Sequence, residues 1–191
     1  MRLATADDPD VVCLQEVPVW ALERLEDWSG MQAIGAVARS PLLGSAELGR
    51  RLTVHHGLFR SAFTGEAEAT LVAHGLGVSD ERKVVVGEHP LRRIAQAVRI
   101  DKCIDIVNFH TNANSHELER VAELASTHEA ILAGDANIPS AAAAGFSAPL
   151  EGSIDQILVR GLDIIDGPRE LDHVLDGLVL SDHAPLELRF A

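Results

Sequence analysis

Ala130-Ile131-Leu132-Ala133-Gly134-Asp135-Ala136-Asn137 is the stretch on which the fold turns. Residues 130–133 form an unbroken apolar run, short and bounded by glycine, which reads as a strand buried on both faces. Such a strand is covered by a layer on each side. The run leads straight into an acid and an amide two positions apart. If the strand continues, its period of two aims Asp135 and Asn137 to one side, where an acceptor-only carboxylate beside an amide can orient a water and steady an anionic oxygen. The other reading is an Asx turn that closes the strand.

Four further phrases repeat the arrangement, with polar residues at the end of an apolar run or just beside it. They are Asp10-Val11-Val12-Cys13-Leu14-Gln15-Glu16, Asn108-Phe109-His110-Thr111-Asn112, Ile154-Asp155-Gln156-Ile157-Leu158 and Ser181-Asp182-His183. Carboxylates, an amide and two imidazoles at strand ends are what metal-assisted phosphoester hydrolysis requires. Glu16 is either a solvated acid at a strand mouth or a ligand. Magnesium is commonly held by one or two carboxylates plus waters and substrate phosphates, so Glu16 suffices as the main protein anchor. Asp155 begins its own strand and is placed to hold the His183 imidazole in one tautomer, the way a general base is oriented. The seven remaining histidines, among them His55, His56, His89 and His128, carry no comparable context and receive no role.

Around these phrases the pattern alternates strands with few helices. Residues 11–14 form a buried strand. Pro18 then opens a helix over 19–28, with Trp20, Leu22, Leu25 and Trp28 near helical spacing. Strands follow at 32–38, 52–58 and 68–73. Residues 75–82 are polar and turn-rich, and 83–86 is a short strand. Residues 94–100 and 103–109 flank an Asp101-Lys102 turn and read as a hairpin. A helix over 115–127 places Leu118, Val121, Ala122 and Ala125 on one face, with Ser115 as its N-cap. Residues 139–150 are loop, and 154–159 and 185–190 are the last strands. No repeat, low-complexity tail or linker interrupts the chain, which reads as one domain over 1–191.

At 191 residues the chain is long enough for a sizeable core. No run of about 18 apolar residues offers a membrane span, and the N-terminus turns acidic at once at Asp7-Asp8, unlike a signal peptide. Cys13 and Cys103 each lie in an apolar run and read as buried, reduced thiols, which with the missing leader favours a cytoplasmic protein. The formal net charge of −13 argues against a high-affinity, non-specific grip on duplex DNA, which works through Lys and Arg on phosphates. The tight basic clusters are Arg50-Arg51 and Arg92-Arg93. A small phosphoester, a lipid headgroup or a short stretch of nucleic acid is easier to accommodate.

Taken together, the five phrases resemble the endonuclease/exonuclease/phosphatase superfamily, the group of deoxyribonuclease I. Leu14-Gln15-Glu16 is similar to its metal-binding glutamate motif. Residues 34–41 are similar to its second strand, Asn108 to His110 to the strand carrying a catalytic histidine or tyrosine, and Gly134 to Asn137 to its Gly-Asp-x-Asn motif, here with Ala136. Ile154-Asp155 and Ser181-Asp182-His183 are similar to its last two motifs. The resemblance runs from about Pro9 to Phe190. It implies a four-layer sandwich of two stacked mixed β-sheets flanked by helices. It also implies Glu16 and Asp182 at Mg²⁺ (or Mn²⁺), and His183, oriented by Asp155, as general base or phosphate contact. Asp135 would position the attacking water, Asn137 would hold the phosphoryl group, and His110 would contact phosphate or assist the leaving oxygen. The implied reaction is in-line attack of water on a phosphodiester or phosphomonoester.

One departure stands out. The family begins with a strand ending in asparagine, then a helix, before the glutamate strand. Only nine residues precede Asp10, whereas a parallel crossover alone needs roughly a dozen or more. The first strand is therefore expected to be missing, and no asparagine occurs before Asn108 to supply that ligand. Either the natural protein has a longer N-terminus, or this is a short member whose metal site is weaker or whose sheet is completed by another chain. Under the first reading, upstream sequence raises stability and metal affinity. The competing functional reading is a non-catalytic or truncated member that keeps the fold as a binding or scaffold domain.

Overall fold

The computed structural model describes residues 4–41, 64–175, 177–179 and 181–191. The strand expected at 52–58, the Arg50-Arg51 cluster and His55-His56 lie outside the described residues. β1 (Val11–Val17), β2 (Gln32–Arg39) and β3 (Glu66–Val72) form an antiparallel sheet in the order β1-β3-β2. β4 (Val78–Gly87), β5 (Arg93–Ile100), β6 (Ile104–His110), β7 (Glu129–Asp135) and β8 (Asp155–Arg160) form the second sheet in that order. Its pairs are antiparallel except β6 with β7. That parallel pair requires a crossover, and α2 (Ser115–Glu123) provides it. β9 (Ile164–Glu170) pairs with a later strand, β12 (Leu186–Phe190), and β10 (Val174–Leu175) pairs with β11 (Leu178–Val179).

The period of two sorts each strand's side chains between layers. Ile34, Val72, Val98, Ile100, Ile106, Ile131 and Val159 meet between the sheets, with Val11 and Cys13 of β1 and Leu188 and Phe190 of β12 packed against them. On the far face of the five-stranded sheet, Ala95, Ala97, Val107, Phe109, Leu132 and Leu158 meet Leu118 and Val121 of α2. On the far face of the three-stranded sheet, Ala69 and Leu71 meet Ala21, Leu25 and Met31. The result is helix, sheet, sheet, helix: the four-layer sandwich expected from sequence. Among the described residues β1 pairs only with β3, and β12 only with β9. No helix among them is long and apolar enough to cross a membrane.

Several local expectations change. The segment after Pro18 is a 3-10 helix, Val19–Arg24, followed by a short α1 (Leu25–Ser29). Leu22, Leu25 and Trp28 recur every third residue, which suits a tight turn as well as an α-helix. β4 begins at Val78, so most of the stretch expected to be turn-rich is strand. It reads as polar because this is an exposed edge with an irregularity between Ser79 and Arg82. Asn114, one residue before Ser115, caps α2 by accepting from the His116 amide at 3.0 Å. The helix stops at Glu123 because the next turn is captured elsewhere: the Ser126 and Thr127 amides donate to buried Asp105 at 2.7 and 3.1 Å. Burial opposes the Asp105 charge, but hydrogen bonds from Arg99, Arg82 and these amides outweigh it and hold the carboxyl well below the usual range. Cys103 is exposed in the three-residue β5–β6 turn, where its amide donates to the Ile100 carbonyl at 3.0 Å and Asp101 and Lys102 both take a positive φ. Ile164–Glu170 escaped sequence reading because it holds Gly167 and Pro168 and is largely exposed on both faces.

Candidate active site

Pairing register builds the first half of the site. His110 is the partner of Asp135, and Asp135 of Asp155. The three stand in one row across the ends of β6, β7 and β8, on the face turned toward the other sheet. Two carboxylates directly opposite each other repel. Burial, and then this repulsion, raise Asp135, partly offset by the Asn137 amide that donates to its Oδ1 at 2.7 Å. Asp155 is raised chiefly by burial, and the His183 charge lowers it. His183 Nδ1 lies 2.9 Å from Asp155 Oδ2, the pairing expected from sequence. Partial burial works against an imidazolium there. The surrounding carboxylates Asp155, Asp135 and Asp182 outweigh it, so the His183 pKa is raised.

Asn137 arrives by a different route from the strand extension considered above. β7 ends at Asp135, and Asn137 takes a left-handed φ of 52°. The Asx turn and the functional placement are therefore one structure. The turn that closes the strand puts Asn137 Nδ2 2.9 Å from the Thr111 carbonyl, to which it donates, and 3.1 Å from His110 Nε2.

An irregularity builds the second half. β1 pairs Leu14 with Ala69 and then Val17 with Ala67, so Gln15 and Glu16 together oppose the single residue Glu68. This β-bulge re-aims a side chain. Glu16 sits at φ 54°, a conformation costing a non-glycine residue roughly 1–2 kcal/mol. Its carboxylate is 63% exposed, and Oε1 lies 3.9 Å from both Arg93 Nη1 and His110 Nδ1. Burial raises the Glu16 pKa, Glu66 adds to the rise, and Arg93 opposes it. Beneath it, buried Glu66 accepts from Arg39 and Arg93. Arg93 Nη1 also lies 2.9 Å from His110 Nδ1. An arginine can only donate, so Nδ1 accepts; Nε2 lies 3.1 Å from Asn137 Nδ2 and 3.5 Å from Asp135 Oδ2. Burial, followed by the Arg93 charge, pushes His110 down to about 3. His110 is a neutral imidazole.

The seven residues proposed from sequence thus converge on one mouth between the sheets. Asp182 is exposed, and its charge acts on Glu16, Asp155 and His183. Sequence reading did not single out Glu66, Arg39 and Arg93. The signal for Glu66 was the Glu66-Ala67-Glu68-Ala69-Thr70 alternation, whose polar side chains face inward here.

Among the described residues, two groups place potential ligand atoms within 4.8 Å of one another: Glu16, Glu66 and His110, and Asp135, Asp155 and His183. In the first group Glu66 is committed to two arginines and His110 Nδ1 to Arg93, which leaves the exposed Glu16 oxygens. A carboxylate whose neighbours Glu66, Asp182 and Asp135 all disfavour its charge fits a hard divalent cation that keeps several waters.

Stacked sheets with carboxylates, an amide and two imidazoles at one mouth define a type of α/β sandwich. A profile of the Endonuclease/Exonuclease/phosphatase family matches residues 1–183, and the chain belongs to that family. No curated protein matches it significantly. Among solved structures it is similar to a conserved protein of unknown function from Enterococcus faecalis V583. The TM-score there is 0.70 at 20% identity, covering 100% of this chain and 88% of that one. It is also similar to the Neisseria 3′ phosphatase NExo, solved with a product DNA hairpin, with TM-score 0.63, 15% identity and coverage of 100% and 92%. The human Nocturnin catalytic domain, solved with a sulfate anion, gives TM-score 0.55, 16% identity and coverage of 97% and 82%.

Proposed function

We propose that this chain is a divalent-metal-dependent phosphoesterase that hydrolyses its substrate by in-line attack of water. The observation that carries the reading is the Asp155–His183 pair at 2.9 Å, set beside Asp135 in a mouth whose opposite wall presents Glu16. Glu16, with Asp182, would hold Mg²⁺ or Mn²⁺, which when bound neutralises charge developing on the phosphoryl oxygens. Asp155 fixes the His183 tautomer, leaving Nε2 to take a proton from water or to contact phosphate. Asp135 orients the water. Asn137 contacts the phosphoryl group from its turn. His110, neutral, contacts the phosphate or the leaving oxygen and does not supply a full proton.

The charge of −13 supports a small or lipid-linked phosphoester over genomic DNA, and the two free cysteines fit a reducing cytoplasm. The test is hydrolysis of bis-p-nitrophenyl phosphate with Mg²⁺ or Mn²⁺ and with EDTA. Metal-dependent turnover, abolished by EDTA, is expected. A folded chain without turnover on this or on monoester substrates would overturn the proposal in favour of a scaffold role.

A further inference from the structure

The bulge that brings Glu16 to the mouth is braced from the opposite sheet. Asn108, on β6, is fully buried and stands two residues before His110 on the same face. Its amide spans the gap between the sheets. Nδ2 donates to the Leu14 carbonyl at 3.2 Å and to the Ala69 carbonyl at 3.0 Å. Leu14 and Ala69 are the last regular pair before the register slips. Oδ1 accepts from Gln15 Nε2 at 2.6 Å, and Gln15 is the first of the two bulged residues. One side chain thus uses both its donors and its acceptor on the backbone before the bulge, the strand opposite it and the bulge itself.

An apolar residue at 108 would pack with Ile106 and Ile131 at no desolvation cost. A buried amide in that layer is justified only by the bonds it makes, and all three go to the strand pair that carries Glu16. The bulge leaves Glu16 in a conformation that relaxes if it is released.

We propose that Asn108, acting through Gln15, is a positioning residue that locks the β1 bulge and so holds the Glu16 carboxylate where it can take a divalent cation. This rests on the reading of Glu16 as metal ligand given above. Outer-shell partners of metal ligands typically account for about 10–100-fold in affinity.

The test is calorimetric titration of Mn²⁺ into the full chain and into Gln15→Met, Asn108→Leu and Glu16→Gln, with the thermal midpoint and the kcat at saturating metal measured for each. Gln15→Met removes one hydrogen bond and keeps the Asn108 contacts with backbone. It is expected to weaken Mn²⁺ about tenfold while kcat at saturation stays near that of the parent chain; the thermal midpoint falls by a few degrees, because Asn108 Oδ1 is left buried without its donor. Asn108→Leu is expected to weaken Mn²⁺ further. If it fails to fold, Gln15→Met decides alone. A Gln15→Met chain that binds Mn²⁺ as the parent does, while Glu16→Gln has lost it, overturns this inference and leaves the metal reading standing. A Glu16→Gln chain that binds Mn²⁺ unchanged, or a parent chain that binds none, overturns the metal reading and this inference with it.

Discussion

On the five-stranded sheet the site is a straight row, with His110, Asp135 and Asp155 as register partners on three neighbouring strands. On the three-stranded sheet Glu16 reaches the same mouth only because β1 carries one residue too many. The two histidines at the mouth are also tuned in opposite senses. His110 is held neutral by burial and then by the Arg93 charge beside it. His183 sits among Asp155, Asp135 and Asp182 and is drawn toward the charged form. The same side chain is thereby specialised by its neighbours, one imidazole held neutral and the other drawn toward its charged form.

The largest effect should come from emptying the row. Asp135→Ala combined with His183→Ala should reduce kcat on bis-p-nitrophenyl phosphate by about 10³-fold or more, since a single acid or base commonly contributes about 10²–10⁴. Residual activity within tenfold of the parent would place the chemistry elsewhere.

Asp155→Asn sharpens the contrast between the histidines. With its carboxylate partner gone, the raised His183 pKa should fall toward 6.5. The acid limb of kcat/KM should move to lower pH while the plateau drops about 10²-fold. An acid limb that stays where it was would mean that another group sets it.

Stability offers the mirror-image test on His110. Its folded pKa of about 3 lies below the ordinary 6.5, so between these values the unfolded chain binds a proton that the folded chain refuses. His110 therefore costs no stability above pH 6.5 and progressively more as pH falls toward 3, at about 1.4 kcal/mol per pH unit. His110→Gln should flatten the decline of urea stability between pH 6.5 and 5 by roughly 2 kcal/mol. An unchanged slope would contradict the neutral assignment.

The row was legible from sequence, and the reasons are physical. Buried strands advertise themselves as apolar runs, and Asp135, Asp155 and His110 stand where those runs stop. The other wall was half legible. Glu16 follows an apolar run too, but nothing in Leu14-Gln15-Glu16-Val17 announces a bulge. The Glu-Ala-Glu-Ala-Thr alternation of residues 66–70 suggests a solvated face, whereas the buried arginines behind it turn the polar side inward. Burial of a charge depends on a partner far along the chain, Arg93 to Glu66 in this case, and periodicity carries no information about partners. Cys103 was misplaced for a related reason, since an apolar run does not say where its hairpin turns.

That misplacement yields the smallest test. Cys103 is exposed, whereas burial, aided by Glu68, pushes the Cys13 thiol up to about 12. A thiol reagent at pH 8 should label Cys103 within minutes and Cys13 only after denaturation. Cys103→Ser should change stability by no more than about 0.5 kcal/mol.

The most direct measurement of the contrast between the two histidines is an NMR pH titration of the imidazole resonances of His110 and His183, assigned with His110→Gln and His183→Asn. The structure predicts that His110 stays neutral from pH 8 to below pH 5. It predicts that His183 gains its proton at a pH above 6.5. A His110 that titrates near 6.5, or a His183 that titrates below it, would contradict the account.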